Sequence, residues 1–398
     1  MLKLIRFFKQ SLFLLLTTVF LVSGTLAKAQ QLNTINYNYL YASGQEFELD
    51  WKIINDGNEI TIHYKLELTD TSKRIFDYDI LWDTRSSLAD KEGTPLTNVI
   101  PEAPNEQVKT GKVKIDKSLA GQYAVARVIY NEQKRMRVFH KRIPTRQTPH
   151  LVATDFPLTE KFILQNQTAV LKGFARDSSV FVFHYPTAFP AAGPPFATKQ
   201  GRVAPIIRSD SLWMVNAEGT LTLKETGLYL LQQDTASLNG VAFRVEDDYP
   251  KLGTLQSLVG PLIYICTAQE YDKLKAAGND KTQFDKVILG ITGSAERARN
   301  FMRTYFRNVE LANRYFTSYK EGWKTDRGMV YIIYGLPQVV YLLGDREVWE
   351  YNNTTFIGRF TFTKSPTIFD PENFVLIREE DYRDAWYAII DLWRKARF

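Results

Sequence analysis

In "EGWKTDRGMVYIIYGLP" (321–337) an Asp and an Arg stand side by side, with a Trp, a Thr and two Gly inside seven residues. Two chemistries suit such a cluster. Asp326 could pair with Glu350 as the two carboxylates of a glycan or cell-wall hydrolase, which needs only two acids at a suitable separation. Trp349 and Tyr351 would then supply flat faces for sugar rings, as they would in a carbohydrate-binding protein without catalysis. The other reading is structural, and each residue has a place in it. A long helix ends at Lys320 or Glu321. Gly322 takes the left-handed position that terminates helices, and Trp323 folds back over the last turn. Thr325 and Asp326 accept bonds from nearby backbone N–H groups. Arg327 meets a carboxylate, with Asp326 beside it as the simplest ion-pair partner. Gly328 turns the chain into a strand, "MVYIIY", which Gly335 and Pro337 end. The structural reading is favoured because it uses every residue of the cluster.

Little else in the chain points to catalysis. Cys266, the single cysteine, lies in the apolar "IYICTAQEY" and reads as a buried, inert thiol. The four histidines are His63, His140, His150 and His184, so the region holding the cluster has no imidazole for a base or a metal. His63 and His140 fall within strand patterns and read as pleat-face residues. "GITGS" (290–294) precedes a helix but lacks the Lys of a phosphate loop, and reads as a helix start. "DTRSSLADKEG" carries acids without an EF-hand pattern. There is no G-x-S-x-G, H-E-x-x-H or Walker loop. No cofactor and no metal are expected, and an enzyme is the less favoured reading.

The elements that must hold the cluster follow from periodicity. Over 31–146, "EFELDWKII", "EITIHYKLEL", "RIFDYDILW", "GKVKID", "GQYAVARVIY" and "RMRVFHKRI" alternate apolar and polar residues, with turns at "NDGN" and "NEQK". This predicts an immunoglobulin-like β-sandwich. "PTRQTPH" (144–150) is a linker, and 147–250 reads as a second β-rich sandwich, interrupted by a long Pro-rich surface loop over 186–200. From 251 to 398 the pattern becomes helix, antiparallel meander, helix, an α+β domain. Within it, Thr267 caps a short helix that ends near Gly278. "GSAERARNFMRTYFRNVELANRYFTSYKEG" is one long helix with an apolar stripe of Phe301, Tyr305, Val309, Ala312 and Phe316. Arg299, Arg303 and Arg307 line another side as a solvated face. The last helix presents Tyr382, Trp386, Ile389 and Trp393, with Asp381 as its N-cap.

Gly322-Trp323-x-Thr325-Asp326 followed by Arg327-Gly328 resembles the signature of the GWxTD domain family. "VEDDYP" (245–250), "NRYF" (313–316), "YIIYGLP" (331–337), "VWEY" (348–351) and "LWRKA" (392–396) are similar to it as well. The resemblance runs from 245 to the C-terminus. It implies an exported Gram-negative envelope protein with β-rich domains ahead of the signature domain. It implies no catalytic or ligand residues.

Residues 1–29 carry Lys3, Arg6 and Lys9, an apolar run over 12–22, and the small-x-small site Ala27-Lys28-Ala29, the pattern of a cleaved signal peptide. The full chain has a formal net charge of +6; removing Lys3, Arg6, Lys9 and Lys28 takes away four, leaving +2. That is no charge for binding nucleic acid. The expectation is a periplasmic, outer-membrane-associated or extracellular protein, peripheral to the membrane at most. Its partners are envelope proteins, in an outer-membrane assembly or secretion complex.

Overall fold

The computed structural model describes residues 30–153, 155–175, 178–186, 188–197, 207–236, 240–354 and 356–397; the expected signal peptide lies outside them. The N-terminal half is mostly β-sheet, and helices and strands follow. Strands β1 (Phe47–Asn55), β2 (Ile60–Leu68), β5 (Val99–Pro101) and β6 (Val108–Ile115) form one antiparallel sheet in the order β1-β2-β6-β5. A second has the order β4-β3-β7-β8, from β3 (Tyr78–Arg85), β4 (Thr94–Pro95), β7 (Tyr123–Tyr130) and β8 (Arg135–Arg142). The period-2 pattern sends Trp51, Ile53, Ile62 and Tyr64 of the first sheet, and Trp82, Ala124 and Ala126 of the second, into one shared core.

The next unit has a three-stranded sheet, β14-β11-β9, from β9 (His150–Val152), β11 (Thr168–Lys172) and β14 (Thr220–Thr222). Its five-stranded sheet runs β10-β16-β15-β12-β13, from β10 (Phe162–Leu164), β12 (Ser179–Tyr185), β13 (Ser211–Asn216), β15 (Gly227–Gln232) and β16 (Val241–Glu246). The stretch 186–197, expected as a surface loop, is instead seated on the C-terminal unit as far as it is described. Phe189 and Phe196 are buried there, Phe189 against Tyr319 and Phe369, Phe196 against Tyr387. Its proline spacing removes competing backbone donors, and its apolar side chains cover apolar surface.

In the C-terminal unit α1 (Leu255–Val259), α2 (Ala268–Ala277), α3 (Lys281–Thr292) and α4 (Ala295–Phe316) precede α5 (Asp326–Tyr334). The meander β17 (Val339–Leu342), β18 (Arg346–Asn352), β19 (Ile357–Lys364), β20 (Phe374–Leu376) and helix α6 (Tyr382–Arg394) follow. Thr267 caps α2 in a capping box with Glu270. Gly293 ends α3 in the left-handed region at φ 79°, and Ser294 caps α4, so "GITGS" is a helix stop and a helix start in succession. The stripe of Phe301, Tyr305, Val309, Ala312 and Phe316 is buried, while Arg299, Arg303 and Arg307 are exposed. Asp381 stands at the start of α6 but its side chain makes no capping bond. No helix among the described residues is long and apolar enough to cross a membrane.

Three further expectations are corrected. Helix α4 stops at Phe316, because Thr317 turns to extended backbone. "MVYIIY" is helix, not strand: Thr325 caps α5 by accepting from the Gly328 N–H at 3.0 Å. Eight of its nine residues are buried, so the apolar run shows no 3.6-residue stripe and looks like a buried strand. Lastly, residues 32–41, with 3-10 turns at Leu32–Thr34 and Asn38–Tyr41, lie between the first β unit and the C-terminal one: Tyr39 OH donates to Val138 O at 2.5 Å on the first side. Tyr37 N–H donates to Val340 O at 2.8 Å and Tyr331 OH to Tyr41 O at 2.8 Å.

Candidate functional site

The cluster over 321–328 is a junction rather than a corner. Gly322 opens a 3-10 turn (Gly322–Lys324) set against the last turn of α4. A Cβ on Gly322 would lie 2.1 Å from Ala312 O, and one on Gly328 would lie 1.9 Å from Gly322 O. Neither glycine has positive φ. Their role is close backbone approach, not the left-handed conformation expected for Gly322. The turn is tied down at each residue. Gly322 N–H donates to Tyr249 OH at 3.0 Å, and Trp323 N–H to Asn313 Oδ1 at 3.0 Å. Asn313, fully buried, also donates to Pro250 O at 2.9 Å. Thr325 Oγ1 donates to Gly322 O at 2.8 Å while accepting from Gly328 N–H. The Trp323 indole packs on Gly260 and edge-on to Tyr264, whose hydroxyl donates to Trp323 O at 2.8 Å. Truncation by Trp323→Ala is expected to cost roughly 3–5 kcal/mol, read as a lower urea midpoint of unfolding.

Asp326 and Arg327 do not pair with each other, contrary to expectation. Successive helical residues point about 100° apart, and each finds its own partner. Asp326, 6% exposed, accepts the Leu376 N–H at 2.9 Å and forms an ion pair with Arg378. Arg378 in turn donates to Gly193 O at 3.2 Å, and Ala192 N–H donates to Lys324 O at 2.9 Å. The described part of the Pro-rich stretch is thereby bonded to the cluster on both sides of Asp326.

Arg327 Nη1 meets Glu347 Oε2 at 2.9 Å, and its guanidinium lies over the rings of Phe316 and Phe374. Glu347 is 1% exposed; its other oxygen accepts from Tyr41 OH at 2.5 Å and from Trp349 Nε1 at 2.8 Å. Burial works against the Arg327 charge, but Glu347 and Tyr41 outweigh it and raise its pKa. Burial, and then Glu347, push the Tyr41 phenol well above its ordinary value, so it stays a donor. At Glu321 burial is opposed by Arg244 and Lys324, which hold its carboxyl below the usual range. The result is a charged knot joining the N-terminal segment, α5 and β18.

The hydrolase arrangement is not assembled. Glu350 lies on β18 and is held by Arg359 at 2.7 Å on the surface, while Asp326 is held by Arg378. Trp349 and Tyr351, the candidate sugar platforms, are 0% and 2% exposed. Burial and then Glu270 push the Cys266 thiol up to about 12, far from a thiolate nucleophile at neutral pH. His184 bonds Asp210 at 2.8 Å and Thr226 O at 3.0 Å. Among the described residues no three His, Cys, Asp or Glu are grouped to hold a metal. A cleft of about 680 Å³ lies elsewhere, between β1, β8, residues 159–162 and α4. Arg314 of α4 reaches Glu48 across it at 2.6 Å.

Sequence reasoning finds Gly322, Trp323, Thr325, Asp326, Arg327 and Gly328. It misses Tyr41, Glu347, Arg378, Asn313 and Tyr249, which complete their bonding. "VEDDYP" contains Tyr249, "NRYF" contains Asn313 and "VWEY" directly follows Glu347, so the flanking strings hint at three of these neighbourhoods.

Residues 227–395 match the profile of the GWxTD domain. The match starts well before 251, so it takes in β15 and β16, whose Arg244 forms ion pairs with Glu246 and Glu321. No curated protein sequence matches the chain. Among solved structures, "Crystal structure of DIP-gamma IG1+IG2" aligns with 13% identity over 51% of this chain and 96% of that one, at a TM-score of 0.18. "Anomalous substructure of Titin-A168169" aligns with 8% identity over 51% of this chain and 99% of that one, at a TM-score of 0.19.

Proposed function

We propose that the protein, whose residues 227–395 match the profile of the GWxTD domain, is an exported, non-enzymatic interaction or scaffold protein of the bacterial cell envelope. In this reading it is an accessory subunit of an outer-membrane assembly or secretion complex, and its two N-terminal β units are immunoglobulin-like sandwiches. One observation carries the non-enzymatic part: both charged side chains of the signature are taken up by partners inside the fold. Asp326 holds Leu376 and Arg378, and Arg327 holds Glu347. A catalytic acid or base needs an atom open to substrate. The sandwich reading of 31–146 is supported by two four-stranded antiparallel sheets with Trp51 and Trp82 in one core. The scaffold reading is supported by how the pieces are joined. Residues 32–41 and 189–196 both reach over to the C-terminal unit, so the β units are held rather than left on free linkers.

In-cell crosslinking followed by native purification from membranes tests this reading. The protein is expected to be recovered with other envelope proteins. Recovery without any other protein, together with cleavage of a peptidoglycan or glycan substrate that Asp326→Asn abolishes, would replace it with the hydrolase.

A further inference from the structure

Strand β1 lies at the edge of its sheet, with β2 as its strand neighbour. The Asp56 N–H bonds across the hairpin to Glu59 O. By the alternation of an antiparallel ladder, Glu48, Asp50 and Lys52 then bond β2, and the N–H and C=O groups of Phe47, Leu49 and Trp51 point away from the sheet. Asn55, in the same phase, shows that direction: its C=O accepts from the Thr148 N–H at 2.8 Å. Phe47, Leu49 and Trp51 line the cleft of about 680 Å³. Among the described residues one bond reaches their outward groups, from Lys141 Nζ to Trp51 O at 2.5 Å. An open edge inside a cleft is the setting in which an extended peptide adds as a further strand.

The wall facing this edge is basic. Arg137, Phe139 and Lys141 are alternate residues of β8, so they share one face of that strand, and all three line the cleft. Arg137 lies over the Tyr39 ring at 4.6 Å and Lys141 over the Trp51 ring at 4.8 Å, and neither forms an ion pair among the described residues. The acids of β1 are on its other face. Glu48 is taken by Arg314, and Asp50 stands beside Thr159 Oγ1 at 3.5 Å.

We propose that the cleft takes an extended segment of a partner protein, paired antiparallel to β1, whose acid, apolar and acid side chains at alternate positions meet Lys141, Phe139 and Arg137. Antiparallel pairing is the kind used throughout this unit. Same-face residues recur about every 6.6 Å in any strand, so the three contacts fall in step. An incoming carboxylate gives Lys141 a partner in exchange for Trp51 O and frees that carbonyl for the new strand. Residues opposite Leu49 share its face, so the residues that meet β8 also carry the backbone bonds. The proposal rests on the interaction reading above, but its test uses the purified chain, so it can fail while partners are still recovered from cells.

The probe is acetyl-Thr-Asp-Thr-Val-Thr-Glu-Thr-amide, titrated into the chain from residue 30 onward. Binding is expected with a dissociation constant of roughly 0.1–1 mM, and hydrogen exchange should show the Leu49 and Trp51 amides newly protected. N-methylation of the Val should weaken binding more than about tenfold, whereas N-methylation of the Thr after it should change little, because its N–H points away from β1. Arg137→Glu should weaken binding about tenfold. A peptide with Lys in place of Glu should prefer that variant to the wild type, a reversal that misfolding could not produce. Leu49 and Trp51 amides unprotected at about 5 mM peptide, or equal binding of the Glu and Lys peptides to the wild type, would overturn the proposal. A concentration-dependent dimer that protects the same amides would also overturn it, by giving the cleft to a second copy.

Discussion

Gly328→Ala should prevent the C-terminal unit from folding. The added methyl would sit 1.9 Å from Gly322 O and 2.8 Å from its carbonyl carbon. Those atoms belong to a turn bonded to α4 on one side and capping α5 on the other, so neither can retreat. Gly322→Ala meets the same obstacle at Ala312 O and the Asn313 Cα, 2.6 Å away. For either variant the expected loss exceeds about 4 kcal/mol, the range reserved for changes a packed backbone cannot absorb. Gly290 is the control. It lies in α3, and a Cβ added there would have nothing within 4 Å. Gly290→Ala should therefore stabilise the protein by up to about 1 kcal/mol through helix propensity. Urea titration of the three variants, followed by tryptophan fluorescence, checks the contrast.

The second large effect is at Arg327. Arg327→Met keeps the packing against Phe316 and Phe374 but leaves the Glu347 carboxylate, 1% exposed, without its cation. Tyr41 and Trp349 still donate to one oxygen; the other is abandoned. Breaking such a pair from one side costs about 3–5 kcal/mol. Adding Glu347→Gln should return part of that loss, since a neutral amide needs no counter-charge. The damage should also spread. Residues 32–41 are joined to the C-terminal unit through Tyr41 and its neighbours, so their amide exchange should accelerate in Arg327→Met. Denaturant midpoints and hydrogen exchange measure the two parts separately.

What is legible in the sequence follows the reach of each signal. The long strands from β1 to β8 announce themselves because each buries one face, which writes a period of two. The stripe on α4 does the same at 3.6. The caps at Thr267 and Ser294 are local and readable. Helix α5 reads as a strand because it is buried all round, which erases periodicity. The short helices α1 and α3 escape notice, the latter despite its Asp280 cap, which bonds Thr282 and Gln283 N–H. Within the cluster the residue types are readable and their partners are not. Arg327 requires a carboxylate, but nothing local distinguishes Glu347, twenty residues on, from Asp326 beside it. Tyr41 is 306 residues from Glu347 in the chain, and no short-range pattern joins them. Gly322 shows the same limit. Its type signals an unusual backbone demand, yet whether that demand is a positive φ or a neighbour's carbonyl is settled by the packing of α4.

The role of the signature carboxylate is most directly tested by a double-mutant cycle on Asp326 and Arg378, read as unfolding free energies of the chain from residue 30 onward. Asp326→Asn and Arg378→Gln should each cost about 2–4 kcal/mol, and the double variant clearly less than their sum, because each single change strands a buried charge. Purely additive losses, or an Asp326→Asn protein that unfolds like the wild type while the proposed recovery with partner proteins is lost, would contradict a structural clasp and make Asp326 a working group.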